Sequence, residues 1–478
     1  MTQTEIPPVA SATVPAAWPD LRGTAPRRPV VRRWWRDAAG LLAWASLLVV
    51  VALWVSHSGL QGLSGADGWL TGTGRLAGLL ASDLMLLQIL MMARIPAVER
   101  SYGQDELARR HRLLGFTSFH LMLAHVVLIV TGYALTDGRD VLRETWHLVW
   151  TYPGMLLATA GFAALVMVVV TSIRAARRRL RYESWHLLHL YAYLGVGLAL
   201  PHQLWTGADF VGTPWARAYW WVLWAAALGA VLVYRVGLPV WRSLRHRLAV
   251  SAVVAEAPGV VSVHLTGRDL HRLPVRAGQF LQWRFLDGPG WSRAHPYSLS
   301  AAPTHDRLRI TVKDLGDGSR RLASLRPGTR VLIEGPYGRL TADVRTRRRV
   351  TLIASGIGIT PLRALLEDLD AAPGDLTLIY RTSGADDTLF TDELADLTAR
   401  RGARVLHAPG HRIPGRDSWL PAQAGHLSDA QGLLHLVPDV AQQDVYLCGS
   451  AGWMDAARRA ALDAGVPQQH IHLERFSW

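Results

Sequence analysis

The sequence predicts a multidomain membrane protein with a six-helix all-α transmembrane domain, then an antiparallel β-barrel domain, then a doubly wound α/β domain. Six apolar runs, each long enough to cross a bilayer, lie before residue 240. After residue 247, short runs of alternating or β-branched residues are separated by Gly and Pro. From residue 346, such runs alternate with helical segments, as in a parallel sheet covered by helices. The expected segments are a disordered tail over 1–35, the transmembrane domain over 36–247, the barrel over 248–345 and the α/β domain over 346–478.

The composition excludes several classes of protein. With 478 residues the chain has room for about three domains, and half of its residues are apolar, so it is not disordered overall. Charged residues make up only 18%, which is low for a soluble protein and consistent with a membrane domain. The single cysteine, Cys448, excludes an intramolecular disulfide, an iron–sulfur cluster held by four cysteines and a cysteine-rich zinc site.

The segments that connect the predicted spans alternate in charge. The spans lie near 38–56, 74–93, 113–132, 154–173, 186–203 and 218–238. The tail, the second and fourth connections and the stretch after the sixth span carry about 20 arginines, whereas the other three connections carry about four. The positive-inside rule therefore places both termini in the cytoplasm. This distribution explains much of the net charge of +14, and no basic face with stacking aromatic residues favours nucleic acid binding.

Histidine is costly inside a membrane, so the histidines of the predicted spans are functional candidates. The third and fifth spans contain His111, His120, His125, His186, His189 and His202. His111 and His125 are 14 residues apart, about 40° short of four helical turns, with a rise of about 21 Å. Both can therefore face one neighbouring helix, one near each membrane surface. This separation suits two stacked prosthetic groups better than a single metal ion.

The fifth span would have to supply the partners of these two histidines. His189 and His202 are 13 residues apart and therefore about 140° out of phase on an ideal helix. His186 and His202 are about 160° out of phase, which is no better. We therefore expect a distortion of this helix, and Pro201 is its predicted cause.

Histidines in facing helices fit b-type haem. Two neutral imidazoles make a six-coordinate iron that is suited to electron transfer. Matched by depth in the membrane, the predicted pairs are His111 with His189 and His125 with His202. The alternative is that they cap helices at the interface or line a proton or metal path. For His120 and His186, such an ordinary role is expected.

Three segments of the predicted barrel indicate a flavin. They are His295-Pro296-Tyr297-Ser298, Lys313–Ser319 with its Gly318 and Ser319, and Gly335-Pro336-Tyr337-Gly338. An aromatic ring can lie against the flavin, and the hydroxyls and amides near Ser298 and Ser319 can bind a pyrophosphate. Each segment alone would also suit a strand end or a turn, but their order and spacing favour FAD.

The α/β domain carries signals for a nicotinamide nucleotide. A strand leads into Gly356-Ile357-Gly358-Ile359-Thr360-Pro361 and then a helix, so the backbone can approach a phosphate at a helix N-terminus. Arg381 and Ser383 follow the next strand and can hold a 2′-phosphate, which favours NADPH over NADH. The alternative for Arg381 is a solvated surface arginine.

Two further signals lie near the end of the chain. Cys448 and Gly449 end a later strand, where the nicotinamide would sit, and an ordinary buried residue is the alternative for Cys448. Phe476 and Trp478 are both candidates to cover the flavin face until the nicotinamide displaces the aromatic ring.

With these motifs, the chain resembles the ferric reductase and NADPH oxidase superfamily in its bacterial form, over about residues 40–478. The resemblance implies a ferric-reductase-like transmembrane domain joined to a ferredoxin-NADP reductase module, in the bacterial plasma membrane. It implies that two haem b groups are held by His111, His125, His189 and His202. The segments that match the family's FAD and nucleotide motifs are His295–Ser298, Gly356–Pro361, Arg381 and Cys448-Gly449. Related soluble reductases often have Arg where His295 stands.

The implied activity is electron transfer from cytoplasmic NADPH, with NADH possible, through FAD and two haems to an acceptor outside. The expected acceptor is a ferric chelate or dioxygen, which would form superoxide. A quinone or a periplasmic protein is an alternative, and a histidine-lined metal transporter is a remote one. Arg139, Arg143 and His147 lie on a predicted outer loop and could attract anionic chelates or superoxide, although an ordinary solvated loop is the favoured interpretation.

Overall fold

The computed structural model describes residues 34–57, 60–180, 182–288 and 290–474. The predicted disordered tail lies almost wholly outside the described residues, as do Phe476 and Trp478. The chain divides into two compact units. One contains Arg33–Tyr102 and Glu106–Arg235, and the other contains Gly103–Asp105 and the described chain from Val236 onward.

The first unit is built of helices with many apolar side chains on their exposed surfaces, as expected for helices in lipid. The helices up to residue 246 are α1 (Trp34–Ser56), α2 (Gly65–Met92), α3 (Pro96–Tyr102), α4 (Gln104–Asp137), α5 (Val141–Thr151), α6 (Met155–Ser172), α7 (Arg174–Arg177), α8 (Tyr182–Trp205), α9 (Pro214–Ala230) and α10 (Leu238–His246). A π-helical stretch, Val231–Gly237, joins α9 to α10.

Five helical segments of the described chain are long and apolar enough to cross a membrane. They are Trp34–Ser56, Gly65–Met92, Glu106–Asp137, Met155–Ser172 and Pro214–His246, and they coincide with five of the six predicted spans. The remaining predicted span, 186–203, falls on α8, which has 24 residues but contains three histidines that lower its mean hydropathy. A helical region with five apolar helices is therefore confirmed, and the sixth crossing stays a prediction.

Glycines let α6 and α8 approach each other closely. A Cβ added to Gly161 would lie 2.6 Å from the carbonyl oxygen of Gly195, and a Cβ added to Gly195 would lie 2.9 Å from that of Gly161. Small residues at such crossings allow helices to pack backbone against backbone in a membrane. The position of α8, and of the histidines on it, therefore depends on these two glycines.

After α10, the second unit continues with six strands in two antiparallel sheets, with the orders β1–β2–β5 and β4–β3–β6. The strands are β1 (Ala249–Ala257), β2 (Val260–Thr266), β3 (Phe280–Phe285), β4 (His295–Ser298), β5 (Arg307–Lys313) and β6 (Val331–Tyr337). Bridges between Ala249 and Arg330 and between Leu299 and Ile310 join the two sheets. Their inward residues share one apolar core around Trp283. A short helix, α11 (Asp317–Arg320), follows β5.

A parallel sheet of five strands, in the order β11–β10–β7–β8–β9, completes the second unit. Its strands are β7 (Val350–Ser355), β8 (Leu376–Thr382), β9 (Arg404–Pro409), β10 (Asp444–Cys448) and β11 (Ile471–Leu473). Its helices are α12 (Ile359–Asp368), α13 (Thr391–Arg401), α14 (Asp429–Leu436) and α15 (Ala451–Asp463). Leu352 of β7 joins the core with α12 and α13, whereas its neighbour Ile353 joins the core with α14 and α15. Both faces of the sheet are therefore covered by helices, as the strand–helix alternation predicts.

Candidate functional site

Four histidines on α4 and α8 form two pairs. The ring centres of His111 and His189 are 5.9 Å apart, and those of His125 and His202 are 6.4 Å apart. Two imidazoles on opposite sides of one iron have ring centres about 6 Å apart, because each metal–nitrogen bond is about 2 Å long. Both separations are therefore compatible with two imidazoles that share one iron.

Helix α2 holds the imidazole of His125 in place. The Nδ1 of His125 lies 2.8 Å from the carbonyl oxygen of Gly74 on α2. One turn further on, a Cβ at Gly78 would lie 2.5 Å from the same Nδ1, so only glycine leaves room for the ring. A hydrogen bond at Nδ1 fixes the tautomer and leaves Nε2 for a metal.

The other three imidazoles differ in the partners of their Nδ1 atoms. The Nδ1 of His202 lies 2.8 Å from the hydroxyl of Thr206, and the Nδ1 of His189 lies 3.3 Å from that of Ser172. The Nδ1 of His111 is buried and makes no hydrogen bond within the described residues.

The structure separates these four histidines from the other two in the same helices. Helix α8 is one helix with Pro201 inside it, and both of its paired histidines reach α4 despite their out-of-phase spacing. His120 instead directs its Nδ1 to the carbonyl oxygen of Phe116 in its own helix, at 2.8 Å. The ring of His186 lies beside that of Trp185. Of the five apolar helices, α4 is the least buried, which leaves surface for lipid and for a prosthetic group.

Strand β4 presents the aromatic residues of the predicted flavin site. The rings of His295 and Tyr297 lie on one face of the strand with centres 6.0 Å apart and planes at 18°, and Pro296 between them is half-buried. A Cβ at Gly318 would lie 2.5 Å from the His295 ring, so the main chain of α11 rests against this ring. Burial raises the pKa of Tyr297 to about 12, so its phenol is neutral at physiological pH.

The two serines of this predicted site differ in their surroundings. Ser298 is buried at the end of β4. The Ser319 hydroxyl accepts a hydrogen bond from the amide of Leu315 at 2.8 Å and donates one to the carbonyl oxygen of Gly316 at 2.8 Å. Ser319 therefore stabilises its own turn, and contact of its hydroxyl with a pyrophosphate stays a prediction.

The glycine-rich segment after β7 divides into an open part and a packed part. Gly356 has a φ of +53°, and a Cβ there would meet no atom within 4 Å. A Cβ at Gly358 would collide with the main chain at the end of β10. Thr360 and Pro361 are buried, and the Thr360 hydroxyl donates to a carbonyl of its own turn. The open space that a phosphate needs therefore lies in front of Gly356.

Arg381 is buried, so the alternative of a solvated surface arginine is wrong. Its guanidinium donates to the carbonyl oxygens of Thr382, Ala408, Gly410 and His411, the last two at 2.6 and 3.0 Å. The group is thus engaged with the main chain at the ends of β8 and β9. Contact of Arg381 with a 2′-phosphate stays a prediction and would require some of these bonds to open.

Two exposed polar residues lie at the same edge of the sheet. Ser383 is exposed just after β8, as a nucleotide-binding role requires. Arg412, which the sequence analysis did not single out, is exposed, and its guanidinium lies 3.3 Å from the hydroxyl of Ser450, which precedes α15. Its sequence neighbourhood has no motif, and only the fold brings it to the carboxyl ends of the strands.

Cys448 is buried at the end of β10, where burial, together with the carboxylate of Glu474, raises the pKa of its thiol. Gly449 follows, and a Cβ there would lie 2.8 Å from the ring of Trp453. Glu474 is itself buried, and its carboxylate accepts from the amides of Arg339 at 2.8 Å and Leu340 at 3.3 Å. Sequence reasoning did not select Glu474 as a candidate, although it lies near Cys448. Its one signal is an acidic side chain just before the C-terminal aromatic residues.

The comparisons with known proteins give two kinds of match, one to a transmembrane family and one to reductases. The family described as "Ferric reductase like transmembrane component" matches residues 77–200. The ferredoxin–NADP reductase B of Sorangium cellulosum is 30% identical over 211 residues, which is 42% of this chain and 84% of that protein. The ferredoxin reductase component of 3-ketosteroid-9-alpha-monooxygenase from Mycolicibacterium smegmatis is 34% identical over 242 residues, which is 48% of this chain.

This chain spans 65% of the length of the M. smegmatis protein, which is less than two thirds. Among solved structures, the flavohem-like FAD/NAD binding domain of nitric oxide dioxygenase from Vibrio cholerae is 27% identical. The match covers 48% of this chain and 99% of that domain, with a TM-score of 0.40.

Proposed function

Because the chain belongs to the ferredoxin reductase family and carries a ferric reductase like transmembrane component, we propose that it is a transmembrane NAD(P)H-dependent oxidoreductase. It takes electrons from NADPH on the cytoplasmic side of a bacterial plasma membrane and passes them to an acceptor on the opposite side. The acceptor is a ferric chelate or dioxygen, both of which can take single electrons without binding to a six-coordinate iron.

The two histidine pairs are the observation that carries this proposal. Each pair joins α4 to α8 at the spacing of two imidazoles on one iron, within a unit of apolar helices. Histidines that cap helices would not need a partner at this distance. A metal-transport path would use the histidines but would leave the FAD/NAD(P)-type reductase half without a purpose.

Each pair has a defined task in this proposal. A flavin bound to the second unit would supply the change from two-electron to one-electron chemistry, and haem bound by the histidine pairs would supply one-electron transfer. His111 and His189 would hold the haem nearer the cytoplasm, and His125 and His202 would hold the outer one. The carbonyl oxygen of Gly74 keeps His125 in the tautomer whose Nε2 can bind iron.

In this proposal, residues of the second unit bind and orient the flavin and the nicotinamide nucleotide. His295 and Tyr297 provide a stacked aromatic face for the flavin. Gly356 and the N-terminus of α12 accept the pyrophosphate of the nicotinamide nucleotide. Cys448 and Glu474 lie at the carboxyl ends of β10 and β11, where the nicotinamide would sit, and the thiol stays neutral because burial raises its pKa.

Replacement of His125 tests the haem assignment. Purified His125→Ala protein should contain one haem equivalent instead of two, measured by pyridine haemochrome absorbance, while NADPH still reduces FAD. His120→Ala is the matched control in the same helix and should keep two equivalents. Two full equivalents in His125→Ala would overturn the assignment, as would an equal loss in the control.

The acceptor can be identified with the same protein. Haem-loaded protein with added FAD is reduced by NADPH without oxygen, and air is then admitted. Rapid reoxidation with superoxide formation would identify dioxygen as the acceptor. Haem that stays reduced until a ferric chelate is added would identify a metalloreductase, and haem that is never reduced would contradict the proposed electron path.

A further inference from the structure

Three metal-ligating side chains meet where α4 ends and α5 begins. Asp137 is the last residue of α4, and Glu144 and His147 stand three residues apart on α5. Residues at this spacing share one face of a helix. One ligand atom from each of the three residues lies within 4.8 Å of the other two. Ligand atoms around one ion are about 3 to 4 Å apart, so small side-chain rotations would bring these three together.

The surroundings of Glu144 provide an independent indication that a cation binds here. Its side chain is only 1% exposed, and its Oε1 is buried without a hydrogen-bond partner among the described residues. Its other oxygen lies 3.0 Å from the guanidinium of Arg139, which is also 3.0 Å from Asp137. A buried carboxylate oxygen without a donor is costly, and a cation at this position would satisfy it.

The charges of the cluster also favour a cation. Asp137 and Glu144 carry two negative charges, and Arg139 compensates only one of them. The Arg139 side chain is 40% exposed, so it can move into solvent when another cation enters. A divalent ion in its place would then neutralise both carboxylates. Carboxylate and imidazole ligands together suit divalent manganese, iron and zinc.

We propose that Asp137, Glu144 and His147 form a binding site for one divalent first-row transition-metal ion. Arg139 occupies the position of the ion in its absence and competes with it. The site uses neither haem nor flavin, so its test is independent of the proposed electron path. It lies in the connection that the positive-inside rule assigns to the outer face of the membrane.

A titration with Mn²⁺ tests the site. Full-length protein, freed of any histidine tag and stripped with a chelator, is titrated while free Mn²⁺ is followed by electron paramagnetic resonance. We expect one tight site per chain, and at least tenfold weaker binding in Glu144→Gln and in His147→Ala. Because His147 is only half-buried, its variant tests the site even if Glu144→Gln fails to fold, as judged by circular dichroism.

Two further variants distinguish a specific metal site from nonspecific electrostatic attraction of Mn²⁺. Asp140→Asn removes a carboxylate from the same connection but keeps a residue that can cap α5, so its affinity should stay within twofold of the wild type. Arg139→Gln should bind Mn²⁺ more tightly, because the competing guanidinium is gone. The proposal is overturned if wild type binds no better than Glu144→Gln, if Asp140→Asn is equally weakened, or if Arg139→Gln binds more weakly.

Discussion

Asp444 is fully buried at the start of β10 and accepts hydrogen bonds from two elements. The amides of Thr346 and Arg347 each donate to its carboxylate at 2.6 Å, and the ring of His472 on β11 lies 3.0 Å from it. Burial alone would raise the pKa of Asp444. The hydrogen bond from His472 and those from the two amides outweigh burial and hold the pKa below its usual range.

This lowered pKa gives a pH-dependent stability with a defined sign. A carboxyl whose pKa is lower in the folded state stabilises the fold above its unfolded pKa of about 4, and the contribution is lost as the pH falls through the folded pKa. Asp444→Asn should therefore lower the melting temperature by several degrees at pH 7, with a cost of about 1 to 3 kcal/mol. Melting curves from tryptophan fluorescence at pH 7 and well below the unfolded pKa of about 4 check this. A difference that grows toward acid would contradict it.

Arg381 shows what the residue sequence alone cannot determine. Its position near the end of a buried strand predicts a charge at a nucleotide site, and the fold places Arg381 at the carboxyl end of β8. The direction of the side chain depends on carbonyl groups of Ala408, Gly410 and His411, which are about 30 residues away in the sequence. No local pattern encodes such a contact, so the prediction located the residue but not its partners.

The helices and strands were more predictable than the side chains. Long apolar runs and strand–helix alternation depend on composition and period, which the sequence displays directly. All six predicted spans fall on helices, although α8 alone is not apolar enough to be assigned on composition. The pairing of α8 with α4 could not be derived from ideal helix geometry, because His189 and His202 are out of phase. The tertiary structure brings both to α4.

The close approach of α6 and α8 predicts which glycines of α8 are essential. A Cβ at Gly195 would lie 2.9 Å from a carbonyl oxygen of α6, so Gly195→Ala should separate the helices and displace His189 and His202. We expect a lower melting temperature and less than the full haem content. Gly197, two residues away, is the matched control, because a Cβ there would meet nothing within 4 Å.

Gly197→Ala should keep the stability and haem content of the wild type, or gain slightly, since Ala favours a helix by up to about 1 kcal/mol over Gly. Equal losses in both variants would mean that α8 tolerates no change at all, and the importance of the α6–α8 crossing would be refuted. Haemochrome absorbance and thermal unfolding measure both quantities on the same samples.

At the scale of the whole molecule, the membrane orientation can be tested by cysteine labelling. The only native cysteine, Cys448, is buried and its pKa is raised, so it should give little background. The side chains of Arg143 and Arg178 are exposed, on connections predicted to lie outside and inside. A membrane-impermeant maleimide should label Arg143→Cys in intact cells and Arg178→Cys only after permeabilisation. The opposite pattern would reverse the proposed orientation.

The polar character of α8 has a consequence for the compartment in which the enzyme works. A chain that crosses a bilayer an even number of times returns to the side where it started, and an odd number leaves it on the other side. If only the five apolar helices crossed, the tail and the second unit would face opposite compartments. A sixth crossing by α8 would place the second unit on the same side as the tail, where the cell's reduced nucleotide is available. The three histidines that lower the hydropathy of α8 therefore lie in the helix that decides the compartment of the second unit.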